Sequence, residues 1–142
     1  MVLKCSKDGR TLTFDANDAG SVIAFPGGNS KFTVRYDAGT GKYIALVNNN
    51  TDDRYWFQRN VLSILVSDDL KNWKLSGTVL SDPTVGNDYA LATMHGFQYV
   101  DWVIDGNDIL LAVREAMGDS ENFHDANHTT FYRIKNYKQY IA

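Results

Sequence analysis

The sequence predicts an all-β chain of short antiparallel strands, and three observations predict it. Eleven glycines and many Asn and Asp residues fall in clusters between short apolar or aromatic runs, the punctuation of hairpins and meanders. Several runs alternate polar with apolar residues, as a strand does when side chains two apart share a face. The one helical rival, "SDDLKNW", is too short to stand alone and reads as a turn between strands.

In chain order the candidate strands begin with "VLKCS", "TLTF" and "SVIAF", the first two joined across Lys7-Asp8-Gly9-Arg10. "KFTVRYD" follows, with Lys31, Thr33, Arg35 and Asp37 on one face and Phe32, Val34 and Tyr36 on the other. Ala38-Gly39-Thr40-Gly41 turns the chain into "YIALVN", after which come "VLSILVS" and "WKLSGTVL". "FQYVDWVID" sets Phe97, Tyr99, Asp101 and Val103 against Gln98, Val100, Trp102 and Ile104, so both faces are largely apolar and a sheet covered on both sides is expected. Asp105-Gly106-Asn107-Asp108 leads into "DILLAVREA", apolar until Arg114 and Glu115, and "TTFYRI" completes the series.

A weak internal repeat organises these strands. "KFTVRYDAGTGKYIALVN" and "GFQYVDWVIDGNDILLAV" each run strand, turn, strand, and each is followed by a further strand. That spacing matches one four-stranded blade of a β-propeller. The expected layout is a single partial propeller of about two to two and a half blades: residues 1–30 give outer strands of one blade, 31–82 a full blade, and 95–142 most of a further one. Propellers use about 4 to 8 blades, so either the chain belongs to a longer protein or it closes a ring by self-association.

Composition narrows the partners. Fourteen Lys and Arg against seventeen Asp and Glu give a formal charge of −3 with no block of like charge, unlike a nucleic-acid or membrane-surface binder. With 44% hydrophobic and 13% aromatic residues in 142, one globular core is expected. The single Cys5 forms no intrachain disulfide and lacks the partners of a structural zinc site. No apolar run reaches the roughly 18 residues needed to span a bilayer, and "MVLKCSKDGR" has no apolar signal-peptide core. A soluble chain is expected, secreted or periplasmic if a signal lies upstream.

Ser67, Asp69 and Trp73 of "SDDLKNW" resemble the Asp-box turn of sialidase-type β-propellers, shortened and without its usual glycine. "FPGGNSKFTVRYD", "RNVLSILVSDDLKNW", "HGFQYVDWVIDGNDI" and "FHDANHTTFYRIKNY" occur in an order similar to the C-terminal half of a sialidase-like family of bacterial glycoside-hydrolase propellers, from about Gly9 to Tyr137. The resemblance implies a carbohydrate-active propeller, an exo-sialidase-like hydrolase or a non-catalytic module that binds sugar or protein. It also implies that the Asp-box residues serve the fold through side-chain to backbone bonds and an inserted indole.

Such enzymes grip a sugar carboxylate with three arginines and attack with a tyrosine, because Arg forks match carboxylates and Tyr needs a nearby base. Arg35, Arg59 and Arg114 are the candidate cluster, and Tyr36 and Tyr99 stand out only by face pattern. Cleavage needs two carboxyl groups about 5 to 9.5 Å apart, one kept protonated by an apolar setting. Asp101, among aromatics on its strand, is the acid candidate, with Glu115 and Asp125 as partners. His95, His124, Asp125 and His128 raise a metal reading, but spacing fixes no third ligand and Asn is a poor zinc ligand. No metal or cofactor is expected. His95, His124 and Asn127 instead offer donors and acceptors to sugar hydroxyls, with a polar loop bonded to its own backbone as the alternative.

Overall fold

The computed structural model describes residues 1–86 and 88–141. Among them are nine strands: β1 (Lys4–Cys5), β2 (Leu12–Thr13), β3 (Thr33–Asp37), β4 (Lys42–Asn48), β5 (Val61–Ser67), β6 (Trp73–Ser81), β7 (Gly96–Asp105), β8 (Asp108–Ala116) and β9 (His128–Ile134). All pair antiparallel with their sequence neighbours, as sheets β1-β2, β3-β4-β5-β6 and β7-β8-β9. The chain is all-β, as expected.

Two elements differ from the sequence reading. "SVIAF" forms no strand: a short 3₁₀ turn at Ala19–Ser21 leads into unpaired chain whose Phe25 packs edge-on against Trp73, with ring centroids 5.0 Å apart. A six-residue helix, α1 (Tyr89–Met94), stands between β6 and β7. Asp88 caps it by accepting from the Ala90 and Leu91 N–H groups, and the Ala-Leu-Ala run behind that cap favours helix.

The two larger sheets pack face to face. Ile44, Leu46, Leu62 and Ile64 of β4 and β5 meet Trp102, Ile109, Leu111 and Val113 of β7 and β8 in one buried cluster. The opposite face of the four-stranded sheet, with Ala45, Val47 and Leu65, is covered by Phe25 and Trp73. β5 is therefore buried along its whole length, which its apolar run anticipates. β7 and β8 are covered on one side only, against the sequence reading. Val103 and Phe131 (66% exposed) lie on the open face, because nothing among the described residues packs there.

The Ser67–Trp73 turn is closed by its own side chains. Ser67 Oγ accepts from the Asp69 and Leu70 N–H groups, Asp69 Oδ1 accepts from those of Lys71 and Asn72, and the Trp73 indole donates to the Leu70 carbonyl. The Asn72 and Lys71 backbone bonds hold the Asp69 carboxyl far below its ordinary range. Leu70 has φ +63°, the left-handed conformation in which a glycine would be unstrained.

Candidate functional site

The loops before β3, β5 and β9 and the start of β7 meet at one end of the sheets and enclose a cleft of 230 Å³. Its walls include Asn29, Lys31, Asn48, Arg59, Gln98, Tyr99 and His124. Two glycines permit this convergence. Gly27 has φ +73°, and a Cβ there would run into the Asn48 carbonyl, so "FPGG" can fold tightly over the end of β4. A Cβ at Gly96 would stand 2.6 Å from Arg59 Cβ and 3.1 Å from Phe123 Cβ, so only glycine lets both side chains lie over the start of β7. Asn48 stitches the floor by donating to the Phe97 carbonyl at 2.8 Å and the Arg59 carbonyl at 3.1 Å. Asn29 donates to the Trp56 carbonyl and ties two of the loops together.

Tyr99 is the hub of the cleft. It sits at a register break in the β7–β8 ladder with φ +51°, a conformation rare for a bulky residue and costing about 1–3 kcal/mol. The Lys31 ammonium lies 4.9 Å from its ring centroid and the Arg114 guanidinium 5.5 Å. Arg59 stacks 5.4 Å from the Phe123 ring and donates to the Phe57 and Gln58 carbonyls, and burial lowers its guanidinium from the ordinary range. Arg114 donates to the His124 carbonyl at 3.0 Å. Among the described residues none of these three cations has a carboxylate partner. Gln98, 5% exposed, also lines the cleft, and its Nε2 is buried without a hydrogen-bond partner.

The expected arginine trio is thus regrouped. Arg59 lines the cleft with His124 and Arg114 donates to the His124 carbonyl, but Lys31 takes the third place. Arg35 lies further along the β3–β7 seam, 2.5 Å from Asp101 and over the Trp102 ring. Asp101 lacks the apolar surroundings read from its strand: 76% of its side-chain surface is exposed. It lies on the open face of β7, where no aromatic layer covers it.

The remaining candidates fall elsewhere. Asn127 holds the β8–β9 loop together, donating to the Met117 carbonyl at 2.8 Å and accepting from the Met117 N–H at 3.2 Å. Asp125 is exposed at the loop tip, where its N–H donates to Asn122 Oδ1. His128 lies against Asn127.

His95 and Glu115 line a second, separate cavity of 350 Å³ between the end of β6 and the starts and ends of β7 to β9, together with Asp82, Phe97, Met117 and Tyr132. His95 Nδ1 pairs with Asp82 Oδ2, and the Tyr132 hydroxyl donates to Glu115 Oε2 at 2.8 Å. Burial first, then the Glu115 carboxylate, pushes the Tyr132 hydroxyl up.

Sequence reading passed over Lys31, Gln98, Asn48, Asp82 and Tyr132. Lys31 and Gln98 carried signals, one as the first residue of the polar face of "KFTVRYD" and the other as an amide inside an apolar run. Asp82 carried none, because its partner His95 is thirteen positions away. Comparison with protein-family models, with curated proteins and with solved structures returns no match, so the use of these two pockets has to follow from their own chemistry.

Proposed function

We propose that this chain is part of a sialidase-like, carbohydrate-active β-propeller, and that its cleft binds the carboxylate of an acidic sugar. The reading is carried by three unpaired cations, Lys31, Arg59 and Arg114, converging around Tyr99 and Phe123. Like charges gathered without counter-ions destabilise the free protein, and an anionic ligand relieves that repulsion. The aromatic rings offer faces for ring C–H groups. The ring itself would be completed by a longer chain or by further copies of this one, continuing from the open face of β7, β8 and β9.

For this chain alone, binding is the stronger reading than hydrolysis. Among the described lining residues no carboxylate reaches the cleft, so the acid that glycoside cleavage needs is missing from its walls. Asp101 is the nearest exposed carboxyl along β7, and Arg35 holds it.

A glycan array together with an aryl-sialoside assay tests both readings. The chain is expected to retain sialylated or uronate-bearing glycans over neutral ones, and Arg59→Ala to weaken that binding at least about tenfold, the loss expected for a charge-assisted pair. Absence of any preference for acidic glycans, or full binding by a folded Arg59→Ala protein, would sink the proposal. Turnover of the sialoside would promote the chain from binder to enzyme.

A further inference from the structure

The cavity beside the cleft carries its own chemistry, independent of whether the cleft takes a sugar. Two side chains more than nine-tenths buried, His95 (6% exposed) and Glu115 (4%), line it, and among the described residues each keeps one polar atom without a protein partner and within reach of solvent. Tyr132 satisfies only one Glu115 oxygen, and among the described residues no donor reaches the other. Asp82 is fully engaged: Oδ1 accepts from the Thr84 N–H at 2.8 Å and hydroxyl at 2.6 Å, while Oδ2 takes His95 Nδ1. A carboxylate oxygen can only accept, so that bond puts a proton on Nδ1, and in the neutral ring the Nε2 lone pair is left for the cavity. Both atoms stay within reach of water, so a ligand that displaces that water has two acceptors to satisfy.

A group that replaces water there must therefore bring hydrogens. Among the described residues no Lys or Arg lines the cavity, whereas two carboxylates do, so a positive donor is favoured over a neutral one. Phe97, Tyr132, Met117 and Pro83 supply apolar wall beside the acceptors, and aromatic faces attract ammonium groups. We infer that this cavity is a binding site for a small primary ammonium with a short apolar body, its N–H groups donating to Glu115 Oε1 and His95 Nε2. Asp82 is a positioning residue that fixes the imidazole, and Tyr132 orients the glutamate.

Phenethylammonium is a probe of the right chemistry, and phenethyl alcohol is its uncharged counterpart. Titration of the unmutated chain, followed by calorimetry and by the three histidine Cε1–H resonances, should show saturable ammonium binding that moves the His95 signal and leaves His124 and His128 in place. The alcohol should bind at least about tenfold more weakly. Glu115→Gln keeps the shape and the bond from Tyr132 while removing the charge, and should lose at least about tenfold in ammonium affinity with an unchanged melting temperature. Equal binding of ammonium and alcohol, shifts at His124 in place of His95, or undiminished binding by folded Glu115→Gln would overturn the assignment. Should Glu115→Gln fail to fold, the ammonium-to-alcohol ratio and the His95 shift on the parent chain decide it alone.

Discussion

The cleft and the cavity are built from the same two strands and have opposite chemistry. Gln98 faces the cleft and its neighbour Phe97 the cavity; Arg114 reaches toward the cleft and its neighbour Glu115 lines the cavity. Consecutive residues of a strand point to opposite faces, so one sheet edge can present donors and positive charge on one side and acceptors and negative charge on the other. The Arg114-Glu115 pair, adjacent in sequence, is a division between two sites. A ligand suited to either would be repelled by the other, which keeps neighbouring pockets from competing.

The most disruptive way to break this contrast is to remove what both pockets stand on. Trp102, 2% exposed, packs from the middle of β7 against the four-stranded sheet. Trp102→Ala should cost about 3–5 kcal/mol in chemical denaturation. Acidic-glycan and ammonium binding should then fall together. Survival of one would show that the pockets do not share the inter-sheet core as their scaffold.

Much of the scaffold was legible and much of the site was not, for one physical reason. Alternation and turn residues are local, so "KFTVRYD", "VLSILVS" and "DILLAVREA" announce β3, β5 and β8 within a residue or two. Ser67, Asp69 and Trp73 were readable as a turn because all their bonds lie within a few positions. The cleft joins residues from Asn29 to His124, and nothing local says that Lys31 would stand over Tyr99 where Arg35 had been expected. Asp101 shows the converse error. Its aromatic neighbours in sequence promised burial, but whether a strand face is covered depends on what packs against it, and among the described residues nothing covers this one.

An intermediate effect is expected at the other end of the sheets, about 20 Å along β4 from the cleft. There the buried Tyr137 hydroxyl donates to Asp37 Oδ2 at 2.7 Å, joining the end of the three-stranded sheet to the β3–β4 turn. Burial and the bond to Asp37 push the Tyr137 hydroxyl up to about 12 from 10.0. A raised folded value means this contribution is complete below pH 10 and is lost as pH rises toward 12. Asp37 behaves oppositely. Burial is the largest influence and pushes it up, but bonds from Thr40, Tyr137 and Gly39 outweigh that and hold it below 3.8, so its share is lost only as acid pH falls through the lowered value. Tyr137→Phe should cost about 1–2 kcal/mol near neutrality, flatten the alkaline limb of a denaturation series between pH 10 and 12, and leave both pockets' affinities unchanged. A change in either affinity would mean that the sheets move as one body and that the two ends are coupled.

The smallest effect sharpens the contrast most. Arg35 and Asp101 form an exposed pair, and such pairs contribute about 0–1 kcal/mol. Asp101→Asn should therefore leave the melting temperature almost unmoved. It would, however, free Arg35 as a further unpaired cation on the seam that leads from Tyr99, so acidic-glycan binding should tighten by about twofold at low salt, and the gain should vanish at high salt. Ammonium binding, on the far side of β7, should not respond. If the chain hydrolyses a sialoside, the same variant separates the two roles open to Asp101: an acid catalyst loses turnover while binding is kept, whereas a counter-ion to Arg35 gains affinity with turnover intact.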